Sequence, residues 1–120
     1  MSNSARSVLV FAIYLVVLGL ILMIAPNFLL GLFALPGATD IWIRVVGMLV
    51  LLLGFYYSQA ARQEMTEFFR WTVYARSSVI LFFTAFVLFG LASPPLILFG
   101  AVDLLGAIWT GLALRASKSS

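Results

Sequence analysis

Residues 8–25, VLVFAIYLVVLGLILMIA, run for 18 positions without one charged side chain. An α-helix rising 1.5 Å per residue needs about 20 apolar residues to cross a hydrocarbon core ~30 Å thick, so a membrane is the natural environment for such a run. Three further blocks repeat the pattern. Residues 41–61 carry one charge, Arg44; residues 77–92 carry none; residues 95–114 carry only Asp103. The third block is short but extends back through Trp71, Tyr74 and Ala75. The 120-residue chain is 64% hydrophobic and 9% charged, with a mean hydropathy of +1.18. A soluble domain is about half apolar and about a quarter charged. The expected fold is therefore all-α: a single transmembrane domain over 1–120, a four-helix bundle built from two tandem helical hairpins. Its helices are expected over 7–25, 41–61, 74–92 and 95–115, with an apolar interfacial loop over 26–38. The first helix is expected to be retained. Its apolar run exceeds the ~7–15 residues of a signal-peptide core, and Ile24-Ala25-Pro26 is a poor cleavage site.

Several chemistries lack their parts. The chain has no cysteine and no histidine, which removes disulfides, thiolate chemistry and the commonest metal ligand. No carboxylate cluster, phosphate loop or catalytic motif is present, so no catalytic residue, metal or cofactor is assigned. The net charge of +3 comes from basic residues scattered at helix ends, which argues against a nucleic-acid partner. Arg6, Arg62, Arg70, Arg76, Arg115 and Lys118 flank the N-terminus, the second loop and the C-terminus, whereas the first and third loops carry no Lys or Arg. By the positive-inside rule both termini and the middle loop are expected in the cytoplasm.

The two halves resemble each other. Ala5-Arg6-Ser7 recurs at Ala75-Arg76-Ser77, and Gly47, Tyr56, Ala60 and Arg62 match Gly100, Trp109, Ala113 and Arg115 at one constant offset. Such a duplication would give two hairpins of the same orientation. It pairs Arg76 with Arg6, which favours reading Arg76 as a snorkelling anchor at a helix start. Arg44 and Asp103 have no charged counterparts in the repeat.

Those two charges form the first candidate site. Arg44, Gly47, Leu51, Gly54, Ser58 and Ala61 are spaced as one face of the second span, and Gly100, Asp103, Ala107, Gly111 and Leu114 as one face of the fourth. Small-residue stripes let membrane helices approach closely, so both faces are expected in the bundle interior. Counted inward along each helix, Arg44 and Asp103 reach depths within ~3 Å of each other. A buried ion pair Arg44–Asp103 is expected, with Asp40 as a second acceptor one turn before Arg44. It fits either a structural clamp between helices or a proton or anion site, and the clamp is preferred because a neutralised pair needs no substrate.

The second candidate is GFYYSQAARQEMTEFFRWTVYAR, residues 54–76. Its aromatic and basic residues read as an interfacial belt. The sharper alternative is a ligand mouth made by Tyr56, Tyr57, Gln59, Arg76 and Trp109. The loop over 26–38, PNFLLGLFALPGA, is too short to span and is expected to lie at the interface as an anchor, the alternative being a lid.

With APNFLLGLFALPG after the first span, WIRVVGMLVLLLGFYYSQAAR as the second and a basic middle loop, the chain resembles the DoxX-like group of small bacterial integral membrane proteins. The resemblance implies a four-helix bundle in the bacterial inner (cytoplasmic) membrane and an accessory role beside a membrane oxidoreductase; it carries over no catalytic residue. Small multidrug resistance transporters also have four helices, but their essential glutamate lies in the first, which here has no acid. The expected function is a structural, accessory or lipophilic-ligand-binding membrane protein. The alternative is a small carrier or a membrane-embedded enzyme acting on an amphiphilic molecule, with the enzyme the weakest. Expected partners are membrane lipids, a second copy of the chain or another membrane protein, and a lipophilic small molecule.

Overall fold

The charge-free first block winds into α1 (Asn3–Ile24), started by Ser2, whose hydroxyl accepts a hydrogen bond from the Ala5 amide at 3.0 Å. Pro26 has no amide hydrogen to continue that helix and instead occupies the first position of a new one, α2 (Pro26–Leu32). The chain then forms α3 (Trp42–Arg62), α4 (Thr66–Leu88) and α5 (Leu96–Ser119). This architecture is that of a computed structural model, which describes residues 1–37 and 40–119. It is all-helical among the described residues, and α1, α3, α4 and α5 are each long and apolar enough to cross a membrane.

Several helix bounds differ from expectation. α1 starts at Asn3 rather than at 7, and α5 ends at Ser119 rather than at 115. Both ends of α4 shift for local reasons. α4 starts at Thr66 rather than at 74. Its first turns carry Glu67 and Arg70, which pair at 2.7 Å, but Phe69, Thr72 and Arg76 are buried on one face. The polar residues are the outer side of an amphipathic end, not a loop. At its other end α4 stops before Gly90, whose φ of +75° suits glycine. Gly90 donates to the Val87 carbonyl and Leu91 to that of Phe86, the two bonds that close a helix C-terminus in a Schellman motif. Within the expected loop over 26–38, residues 26–32 are helical; Ala38, its last residue, lies outside the described residues.

The long helices pack as two antiparallel hairpins, α1 with α3 and α4 with α5, and α1 also packs on α5 and α4. α1 is thus the hub, as its apolar sequence permits on every side, and it is the most buried of the four. The small-residue face of α3 lies on α1, not on α5, contrary to the juxtaposition expected of the two stripes. A methyl group on Gly47 would come within 2.8 Å of the Gly19 carbonyl oxygen, and one on Gly19 within 2.7 Å of the Gly47 carbonyl oxygen. Gly54 sits equally close to Ala12 and Val16. Backbone touches backbone there, which is how membrane helices gain dispersion energy without a hydrophobic drive. On α5, Gly100 meets Ile80 of α4.

The buried core gathers at the end that holds the termini and includes Ala5, Val8, Phe11, Ala60, Phe69 and Leu114. There the Ser2 amide and hydroxyl donate to the Glu64 carboxylate at 2.7 and 2.6 Å, which ties the N-terminus to the α3–α4 turn. These bonds hold the Glu64 carboxyl below its ordinary pKa of 4.5.

Replacing Gly47 or Gly19 with Ala should destabilise the bundle by about 1–3 kcal/mol through overpacking, whereas Gly31→Ala, with no atom within 4 Å of the new methyl, should change little. Thermal unfolding in detergent reads the difference. Because the folded-state pKa of Glu64 is lowered, its contribution is present above the ordinary glutamate range and lost as pH falls through the lowered value. The protection of the Ala5 amide against hydrogen exchange, relative to its intrinsic rate at each pH, should therefore fall on acidification, and Glu64→Gln should lower it at every pH.

Candidate functional site

A cavity of about 500 Å³ lies between the two hairpins. Its walls are α1 and α3 on one side and α4 and α5 on the other, and α2 contributes Leu29 and Leu30 at the end opposite the termini. Most of its surface is aliphatic or phenyl, with Leu18, Val50, Val79 and Phe83 among the lining residues. Four polar side chains line it as well: Tyr14, Tyr57, Arg76 and Asp103.

Arg76 governs the polar end. It lies half-way along α4, yet only 2% of it is exposed. A cation at that depth needs partners, since an unpaired charge in the hydrocarbon costs several kcal/mol. Nε donates to the Thr72 carbonyl at 3.3 Å, and Nη2 donates to the hydroxyls of Thr72 at 3.1 Å and of Thr110 at 2.8 Å. Thr110 also shares a 2.6 Å hydrogen bond with Ser7 of α1, and the Ser7 hydroxyl lies within 2.7 Å of the Ser4 carbonyl. The guanidinium carbon sits 4.7 Å from the centroid of the Phe11 ring, a cation–π contact. Three helices therefore hold one planar group. The third nitrogen is left over: Nη1 is buried and has no hydrogen-bond partner. Gly106 of α5 makes room for it, since a Cβ there would stand 3.2 Å from Nη1.

Asp103 lies one helical turn from Gly106, toward the α2 end, and about two turns into α5. It is half-buried, lines the cavity and is within electrostatic reach of Arg76, but it makes no ion pair and no hydrogen bond among the described residues. The hydroxyls of Tyr14 and Tyr57 are likewise without hydrogen bonds there, while their rings pack on Phe11.

The expected pair Arg44–Asp103 is not formed. Among the described residues the only ion pair is Glu67–Arg70. Arg44 is exposed, and its Nη1 donates to the Met23 carbonyl in the last turn of α1. The reason is the packing of α3 on α1: the small-residue face carries Arg44 to the end of α1, where an unsatisfied carbonyl and the negative end of the helix dipole accept a cation. Asp40 is exposed and makes no ion pair with Arg44. The cation that faces Asp103 is Arg76 instead.

The expected mouth divides. Tyr57 and Arg76 both line the cavity. Tyr56 and Trp109 are 62% and 46% exposed, and Gln59 is exposed, so these three lie on the outer surface with the belt residues. Reading Arg76 as a snorkelling anchor is also overturned, because Arg6, its repeat counterpart, is exposed while Arg76 is buried. Thr72 and Thr110, which hold Arg76, carried no sequence signal beyond hydroxyls four residues before an arginine and on a small-residue helix. No protein-family model, curated protein or solved structure matches the chain.

Thr110→Val removes one acceptor from Arg76 and one partner from Ser7, and should cost about 1–2 kcal/mol of stability in detergent. Combined with Ser7→Ala it should cost less than the two single losses added together, because both break the same bond. Arg44→Leu and Asp103→Leu should be additive, as expected of side chains that do not meet. Denaturation of the singles and doubles measures both cycles.

Proposed function

We propose that this protein binds a lipophilic or amphiphilic small molecule in the cavity between its two hairpins, within the membrane. A cavity of about 500 Å³ is in the range that accommodates compact organic ligands, ~300–1,000 Å³. Its wall supplies what such a molecule needs, a long apolar surface with a few polar groups grouped at one end. The observation that carries the reading is the state of Arg76. Its guanidinium is fixed by Thr72, Thr110 and Phe11, so a residue of the cavity lining holds one corner rigidly without a partner of its own. A fixed donor costs less to engage than a mobile one, because the ordering entropy is already spent in folding. The chemistry of the site suits binding rather than catalysis. One carboxylate and two tyrosines stand without a nucleophile, histidine or metal cluster among the described residues.

The reading includes placement in a bacterial inner membrane with the termini on the cytoplasmic side. Arg6, Arg62, Arg70 and Arg115 support that orientation, since all four lie near the end where Ser2 meets Glu64. The opposite end carries Arg44 alone among described basic residues.

Mass spectrometry of the full chain released from mild detergent should detect a retained lipophile. Val79→Trp, which places a large side chain in the cavity, should reduce the retained amount severalfold while the protein still unfolds in one cooperative transition. Equal retention in both proteins would remove the cavity as the binding site and with it this function.

A further inference from the structure

The polar end of the cavity is electrically self-cancelling, and that limits what can occupy it. Arg76 contributes one fixed cation and Asp103 one carboxylate of the same cavity wall, each within the other's field but separated by more than ion-pair distance. Each also has unused capacity. Arg76 Nη1 is a donor without an acceptor, and the Asp103 carboxylate is an acceptor without a donor. Gly106, one turn from Asp103 on α5, carries no side chain and so lets Nη1 and the Phe11 ring lie directly against the helix backbone. The other polar groups of the wall are the uncharged hydroxyls of Tyr14 and Tyr57, and the remainder is apolar, so no further charge is offered.

We infer that the ligand is a single-chain amphiphile whose head is neutral overall and bridges Arg76 and Asp103. The inference rests on the cavity being the binding site. The head presents an electron-rich oxygen to Nη1 and an O–H or N–H to the carboxylate, so both unused capacities are satisfied by one insertion. A net anion would satisfy Arg76 but bring a second negative charge beside Asp103 in a low-dielectric wall. A net cation would have the mirror-image conflict with Arg76. Either would leave an uncompensated charge in the membrane interior, which is the costly outcome. The tail follows the apolar wall from Val79 and Val50 toward Leu29. A volume of about 500 Å³ holds one chain and not two. The same head chemistry is available from an uncharged ester with hydroxyls and from a zwitterion with a primary ammonium.

The test loads the full chain, in detergent, with an equimolar mixture of four single-chain probes. They are a monoacylglycerol, a lysophosphatidylethanolamine, hexadecyl sulfonate and hexadecyltrimethylammonium. Retention is read by native mass spectrometry. The wild type should retain one of the two neutral probes over both charged ones by about tenfold or more, and which of the two it retains identifies the head. Asp103→Asn leaves the site with the Arg76 charge alone, so its preference should move to the sulfonate. A wild type that prefers the sulfonate or the ammonium overturns the inference, as does an Asp103→Asn variant with unchanged ratios. If Asp103→Asn does not fold, the wild-type ratios alone decide. The two failures are distinguishable. A charged probe displaced by Val79→Trp means that the cavity binds but the head is wrong, whereas retention indifferent to Val79→Trp means that the cavity does not bind.

Discussion

A guanidinium buried half-way along α4 is the constraint around which the rest of the bundle is arranged. Arg76 cannot be left to hydrocarbon, and no carboxylate comes within ion-pair distance of it among the described residues. Its charge is instead spread over hydroxyls, a backbone carbonyl and an aromatic face drawn from α1, α4 and α5. That solution demands that the three helices keep a fixed register, because Thr110 must serve Ser7 and Arg76 together. Around this network the apolar core is dense, with Phe69 and Val8 fully buried. The network joins the α4–α5 hairpin to the hub helix, and the cavity begins where it ends.

The two hairpins are held by different forces, and the difference explains why there is a cavity at all. α3 is bound to α1 by backbone proximity at Gly19, Gly47 and Gly54, which needs small residues and leaves no choice of distance. α4 and α5 are bound to α1 through polar contacts near the terminal end. Packing drawn tight on both flanks of α1 leaves α3 and α4 as facing walls rather than as neighbours, although only three residues connect them. Toward the other end no network pulls the hairpins together. α2 covers that opening, with Leu29 buried and the Phe33 ring 4.5 Å from that of Phe99 on α5.

The fold class was legible because it depends on long runs of one property. Four apolar blocks at spanning length leave few architectures, and the two tandem hairpins follow from their order. The site was legible only in part. Asp103 stood out as a charge inside an apolar run, and Tyr57 and Arg76 were placed together at a mouth. Arg76 was harder to read because it sits where an uncharged block begins, beside a stretch of Glu, Arg and Thr that resembles a loop. Only when α4 is seen to start at Thr66 does Arg76 move from a helix start to its middle. The repeat deepened the error by equating it with the exposed Arg6. Arg44 failed for another reason. Its depth and face suited a partner on the fourth span, but helical periodicity names a face without naming the neighbour, and the Gly19–Gly47 contact gives that face to α1.

Two arginines in one small bundle thus show opposite uses of the same side chain. Arg44 reaches from α3 to the end of α1, where a carbonyl lacks an intrahelical donor, and its exposure lets water and headgroups share the charge. Nothing about it asks for a ligand. Arg76 has its position fixed on two sides, while its third corner, Nη1, is buried without a partner. Burial is tolerable in that arrangement because most of the donors are satisfied, and incomplete because one corner is not. A fully satisfied network would have closed the bundle more firmly, whereas the unpartnered corner beside Gly106 is the place where the proposed ligand would complete it. On the proposed function stability and occupancy of the cavity are linked, since a molecule that binds only the folded bundle raises its stability by RT times the logarithm of one plus the ratio of free ligand concentration to Kd, which grows with the ligand concentration.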